Sequence, residues 1–291
     1  MNTRESVLEK VRSVPALPVQ TIQIIDMIQN PDVSILDLQQ VIERDPGMTS
    51  NVLRMANSPS FRGVYQIDSI KEALVRLGAK TVLQLAVASA VAPVARQPVA
   101  GYDMPAGELL KHSVVTAATV TELAKYLKLD VHPRVYTAAL LHDIGKIVLG
   151  TFLEVNAQPI LDLAFRERTA FDEAERKILG TEHAEVGAVL LESWGLPPSI
   201  VALVRFHHHP ESCPEVDRSA ADLVHVADIL GRLTGLGVGV DGLNYVPSAD
   251  AVKHLRVTTQ VAEDVTANMI TAVSDILEVF EVGVRRDTYG D

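Results

Sequence analysis

The sequence predicts an all-α protein, and three observations carry that prediction. Aromatic residues make up only 4% of the 291 positions while Ala, Val and Leu are abundant, a composition suited to helices packed through small aliphatic side chains. Apolar residues recur at helical spacing in one segment after another. Turn patterns of the β-hairpin kind are scarce, whereas capping residues and prolines punctuate the helical stretches. With 47% hydrophobic and 22% charged residues, the chain is expected to be soluble and globular, and long enough for one large or two ordinary domains.

Taken in order, Glu5 to Val14 reads as a short amphipathic helix, broken by Pro15 and Pro18. Val19 to Gln29 carries Ile22, Ile25 and Ile28 on one face and stops at Asn30-Pro31. Ser34 and Asp37 open a helix to about Arg44, with Leu38, Val41 and Ile42 inward. Asp45 then caps the next helix, Pro46 takes its first position, and Met48, Val52, Leu53 and Met55 repeat up to Asn57-Ser58-Pro59. Helices over Ser69 to Leu77 and Lys80 to Ala92 are hinged at Gly78. The loop Gln97 to Pro105, rich in Pro and Gly, divides a first lobe (1–96) from a second (97–291). Apolar faces such as Val82, Leu85 and Val87 need cover beyond the first lobe, so the two are expected to form one structural unit.

The second lobe holds the residues capable of chemistry. Glu108 to Lys128 reads as one long helix with Glu108 and His112 four apart on the same side. His132-Pro133 restarts the chain into a helix that holds His142 and Asp143 side by side within the apolar run Ala138 to Leu149. An aspartate buried there must be paired, hydrogen-bonded or bound to a metal, and the adjacent imidazole makes a metal the natural partner. Helices follow over Ala157 to Arg168 and Phe171 to Leu179, and then from Thr181-Glu182 to Trp194, with His183 in its first turn. Pro197-Pro198 begins a helix that ends in His207-His208-His209-Pro210. Ser219 to Leu233 carries Asp228, the Gly-rich stretch Gly231 to Gly242 reads as a flexible connection, and Thr258 to Phe280 is a closing helix. His132, His225 and His254 are expected at surfaces or helix ends, and His209 in solvent.

Several blocks in the first lobe carry a family resemblance. Val41-Ile42-Glu43-Arg44-Asp45-Pro46-Gly47-Met48, Leu53 to Ser58, and Ile70 to Gly78 resemble the HDOD family, bacterial signalling modules related to the HD phosphohydrolases. The resemblance covers roughly Val7 to Leu233 and implies a two-lobed helical bundle with an HD-like, metal-capable lobe. It implies that His112, His142, Asp143 and Asp228 hold one divalent ion and that His183, His207 and His208 complete a site for a second. Glu108 and Lys146 resemble positions of the cyclic-di-GMP phosphodiesterase branch, which implies that Glu108 joins the metal site behind His112 and that Lys146 faces phosphate and acts in catalysis with Asp143. The chain departs from that branch after His208, reading His209-Pro210-Glu211-Ser212-Cys213-Pro214 where the branch has an acidic residue and a Gly-Tyr-Pro block.

Two functions follow as expectations. One is a regulatory module that docks a signalling partner protein, with a His/Asp metal site. The other is a metal-dependent phosphohydrolase acting on a nucleotide or cyclic dinucleotide. Mixed His and carboxylate donors suit Fe, Mn or Zn. A net charge of −11 without a basic run opposes nucleic acid as a ligand. The single cysteine, Cys213, suits a reducing cytoplasm. Met1 to Lys10 lacks the apolar core of a signal peptide, and Leu83 to Ala95, broken by Pro93, falls short of the roughly 20 residues a membrane span needs.

Overall fold

The computed structural model describes residues 4–11, 14, 17, 19–29, 34–61, 63–152, 155–242 and 244–287, with the backbone alone at 6, 10, 20, 28, 29 and 281–287. The breaks expected at Pro15, Pro18 and Asn30-Pro31, and the inward side chain expected of Ile28, lie outside the described residues. Among the described residues the regular structure is helical, apart from one isolated antiparallel bridge between Val99 and Met104. Among the described residues no single helix is long and apolar enough to cross a membrane. The chain divides into two compact units, Met1–Ala16 with Val94–Met269, and Leu17–Pro93 with Ile270–Asp291.

Helix α1 (Arg4–Val11) belongs to the first unit. The second unit is built from α2 (Val19–Gln29), α3 (Ile35–Glu43), α4 (Pro46–Ala56), α5 (Ile70–Leu77) and most of α6 (Ala79–Ala95). Its helix starts follow from local chemistry. Ser34 accepts from the Leu36 amide, Asp45 from Met48 and Ser69 from Glu72, each satisfying a donor that the first turn leaves unpaired. Helices α5 and α6 bend by 118° at Gly78. Pro93 does not end α6, which runs on to Ala95. Between α4 and α5 the Asn57 side chain pairs with both backbone groups of Ile67 at 2.8 Å and closes the link.

The first unit holds α7 (Glu108–Tyr126), α8 (Pro133–Leu141), α9 (Ile144–Ile147), α10 (Gln158–Glu167), α11 (Phe171–Leu179), α12 (His183–Ser193), α13 (Pro198–Arg205), α14 (Arg218–Leu233) and α15 (Ala249–His254). The final helix, α16 (Thr259–Asp287), begins in this unit and ends in the second. Helix α7 is the axis of the first unit, packed against α8 and α14 and buried at thirteen of its positions from Leu109 to Ala124. Helix α12 packs on α9 and α13. These two groups of helices surround the polar residues described below.

Within the second unit, Asp275 of α16 accepts hydrogen bonds from Ser58 Oγ at 2.9 Å and the Ser60 amide at 3.2 Å. Val279 joins Leu53 and Ile67 in lining a cavity of about 560 Å³. A fragment of residues 1–96 lacks these contributions, so it should melt without a cooperative transition in circular dichroism. A sharp thermal transition in that fragment would contradict the assembly of this unit from two distant segments.

Candidate metal centre

The His-Asp pair sits at a break between helices and not inside one. Helix α8 ends at Leu141, α9 starts at Ile144, and Asp143 has φ −96° and ψ 10°, in the sparsely populated bridge region. The expectation of a continuous helix through the pair is corrected here. On a helix the two side chains would diverge by about 100°, whereas the break turns both toward one point.

Close packing delivers the next ligand-type residue. A methyl group on Gly145 would sit 1.9 Å from the His183 carbonyl oxygen and 2.6 Å from the Gly187 amide nitrogen, so α9 and α12 touch backbone to backbone. His183 is thereby brought to Asp143, its Nε2 3.2 Å from Oδ1. The Gly-rich stretch after α14 is likewise no loose connection. Gly237, at φ +69°, lies so close to α7 that a methyl group there would meet the His112 amide nitrogen at 2.3 Å. This contact anchors the turn that places Asp241 and Tyr245 in the interior.

His112, His142, Asp143, His183, His207, His208 and Asp228 converge, all of them buried. Two groups of donor atoms form, His112, His142 and Asp228 on one side, and Asp143, His183, His207 and His208 on the other. His112 Nε2 lies 2.9 Å from Asp228 Oδ1, 3.2 Å from His142 Nε2 and 3.4 Å from Asp143 Oδ2. His142 Nε2 lies 3.4 Å from Asp228 Oδ1 and 3.5 Å from Asp143 Oδ2. Across Asp143, His183 Nε2 and His208 Nε2 are 2.8 Å apart and His207 Nε2 is 3.7 Å from Asp143 Oδ1. Donors bound at about 2.1 Å to one ion stand roughly 3.0–3.4 Å apart in octahedral or tetrahedral arrangements, and the separations here, from 2.8 to 3.7 Å, are spread around that range.

Three of the imidazoles are oriented by their outer nitrogens. His142 Nδ1 donates to the Ala139 carbonyl at 2.7 Å and His207 Nδ1 to that of Val204 at 2.7 Å. His183 Nδ1 donates to Glu175 at 2.5 Å. Each bond turns Nε2 toward Asp143, the arrangement that fixes a metal-binding imidazole. Asp143 Oδ1, Asp228 Oδ2 and His207 Nε2 are buried without a hydrogen-bond partner among the described residues. Orphaned acceptors of this kind are rare in native interiors and fit a site for a cation.

Two expected residues stand differently. Glu108 pairs with Lys111 at 2.7 Å at a partly exposed position and is not among the converging donors. Lys146 is fully buried, donating to Asp143 Oδ2 at 2.8 Å and Asp241 Oδ2 at 2.6 Å, and does not face open space. Arg232 was not singled out from the sequence, yet it bridges three carboxylates: Nε to Asp228 at 2.8 Å, Nη1 to Asp241 at 2.9 Å and Nη2 to Asp143 at 3.1 Å. Tyr245 donates to Asp241 at 2.8 Å, lies under the Arg232 guanidinium and stacks on His208. Tyr102 donates to Glu175. His225, expected at a surface, is buried, its Nδ1 on the His207 carbonyl and its Nε2 accepting from the Ser248 amide. His209, expected in solvent, pairs with Asp172 at 2.8 Å. His132 caps α8, and His254 pairs with Asp222.

Burial raises the cost of every charge here, and the partners decide each outcome. Burial opposes ionisation of Asp143, but Lys146, His142 and Arg232 outweigh it and hold the carboxyl well below its ordinary range. Asp228 is held down in the same way by Arg232 and the two imidazoles. Desolvation lowers His207, His208 and His225. For His183 burial also opposes charge, yet Glu175 and Asp143 prevail and raise it to about 10.

The HDOD domain family matches residues 14–210. The chain belongs to the HDOD family. An HDOD domain protein of unknown function from Geobacter sulfurreducens has the same fold, with TM-score 0.69 and 24% identity over 96% of both chains. A Shewanella amazonensis protein with a provisional phosphohydrolase name gives TM-score 0.66 and 24% identity over 94% of this chain and 97% of that one. A Marinobacter aquaeolei protein with a provisional signal-transduction name gives 0.69 and 21% over 94% and 60%. An uncharacterized Treponema pallidum protein is 26% identical over 233 residues, and the HDOD chain spans only 44% of its length. Asp228, Arg232 and Asp241 lie beyond the matched family segment.

Gly145→Ala should destabilise the protein by about 3 kcal/mol or more, the upper end for overpacking, because backbone atoms cannot yield. Urea denaturation of wild type and variant measures this. In chelator-treated protein, His207, His208 and His225 have lowered folded pKa values, so stability should fall as pH drops below about 6.5. His183, raised to about 10, contributes stability that is complete below about 6.5 and is lost as pH rises toward 10. Urea midpoints measured from pH 5 to 10 should therefore peak near neutrality.

Proposed function

We propose that this HDOD protein is a cytoplasmic signal-transduction module whose His/Asp centre binds a divalent transition metal and supports docking of a partner protein. One observation carries the choice of module over enzyme: both basic side chains of the centre are committed to carboxylates. Catalysis on an anionic phosphoester calls for a cation turned toward the phosphate, and Lys146 and Arg232 turn instead toward Asp143, Asp228 and Asp241. The cavity at the edge of the centre, about 450 Å³ beside His208 and Tyr245, adds Asp172, Glu173, Glu211 and Asp250 against Arg168 and His209. An acidic mouth attracts metal cations and repels a polyanion. The free, buried Cys213 is in keeping with a reducing compartment.

The donor set supports Fe, Mn or Zn, since imidazole and carboxylate together suit these ions better than Ca or Mg. His112, His142, Asp143 and Asp228 offer ligands for an ion on one side of Asp143, and His183, His207 and His208 offer the alternative position on the other. When bound, such an ion supplies Lewis acidity and lowers the pKa of a coordinated water. This chemistry keeps a second reading alive, a metal-dependent phosphohydrolase of nucleotides or cyclic dinucleotides. Its support is the intact set of seven inward-facing donors, together with the provisional name of the Shewanella amazonensis relative.

Protein purified without chelator should contain a transition metal by elemental analysis, and His142→Ala combined with Asp143→Ala should abolish it. Supplied with Mn or Fe, wild type should leave cyclic dinucleotides, linear dinucleotides and nucleotides intact. Turnover of any of these, lost at least 100-fold in the double variant, would establish the hydrolase instead.

A further inference from the structure

We infer that the centre takes one divalent ion, and that Arg232 and Lys146 together occupy the electrostatic place of a second. The inference rests on the metal-centre reading above and deepens it. Among the described residues four carboxylates touch the cluster, those of Asp143, Asp228, Asp241 and Glu175, all buried. Against them stand two basic side chains, Lys146, fully buried and ion-paired with Asp143 and Asp241, and Arg232, 3% exposed. Neighbouring buried carboxylates do not enter this balance, because Glu182 has Arg176 and Asp172 has His209 as partners. The imidazoles are neutral when they ligate a metal.

Four negative charges against two positive ones leave an excess of two negative charges. One divalent ion neutralises that excess. A second would leave two uncompensated positive charges in a region closed to water, which is strongly unfavourable.

Geometry assigns the same role to Arg232. Asp143 and Asp228 are the carboxylates that stand on the two halves of the donor set, and the guanidinium spans them, with Nε on Asp228 Oδ1 at 2.8 Å and Nη2 on Asp143 Oδ2 at 3.1 Å. Lys146 Nζ adds a second donor to the same Asp143 oxygen at 2.8 Å. A planar, always-charged fork held in this way is a fixed cation. It binds the carboxylates without leaving and without exchanging with solvent ions.

The test is metal stoichiometry in the full chain. Wild-type protein, stripped, incubated anaerobically with excess MnCl₂ and desalted, should retain one Mn per chain, and its electron paramagnetic resonance spectrum should be that of an isolated Mn²⁺. Arg232→Met combined with Lys146→Met should raise the content to two, while Arg232→Lys, which keeps the charge, should stay at one. Two Mn per chain in wild type, or the spectrum of a spin-coupled pair, overturns the inference and leaves the metal centre standing. No Mn in wild type overturns both. A double variant that folds, by circular dichroism, and still binds only one Mn shows that these two side chains do not set the count. Should that variant fail to fold, the wild-type stoichiometry and spectrum decide the matter alone.

Discussion

A carboxylate sealed from water has to find its partners inside the protein, and Asp143 finds hydrogen-bond donors on one oxygen while the other is left to the imidazoles and to the ion proposed for the site. Oδ2 receives Lys146 and Arg232, while Oδ1 faces the imidazoles of His183 and His207. Much of the first unit can be understood as what this one group demands. The helix break at 142–143 aims it, and the contact of Gly145 with α12 brings His183 within reach. Asp241, arriving on the turn after α14, shares the two cations with it, so that neither is left over-committed.

The imidazoles illustrate economy of a different sort. His142 follows the last residue of α8 and His207 lies just past the end of α13, and each returns its Nδ1–H to a carbonyl three residues back. Terminal carbonyls of a helix lack intrahelical donors. A single hydrogen bond therefore closes the helix end and selects the tautomer that leaves Nε2 free to act as a ligand atom. His225 repeats the device one layer out, holding the His207 carbonyl with one nitrogen and the Ser248 amide with the other.

Much of this was legible in the chain. Asp45-Pro46, Ser69 and His132-Pro133 mark helix starts where the structure has them, because capping is a local property. The seven His and Asp residues that converge were visible as polar residues in apolar helical stretches. Arg232 left a readable signal, its i+4 spacing from Asp228 on α14, and Glu175 stood on the apolar face shared by Phe171 and Ala174. Asp241 and Tyr245 left none, since they follow a Gly-rich turn without periodicity and owe their burial to packing of Gly237 against α7. Glu108 shows the opposite error of inference: i,i+4 spacing from His112 places it on one side of a helix but does not decide which way the side chain reaches, and Lys111 was nearer.

The turn after α14 also dictates when the centre can exist. Its contributors run from Tyr102 to Tyr245 along the chain, and Lys146 and Arg232 have their full set of carboxylate partners only once Asp241 is in place. Contacts so distant in sequence close late, after the loop entropy between them has been overcome by the packing of the intervening helices. During synthesis, a ribosome that has not yet released residue 245 carries a cluster of imidazoles but no finished cage. Loading of the proposed metal would therefore follow translation of this unit, and a chain truncated before the turn would present those imidazoles without the surroundings that hold them.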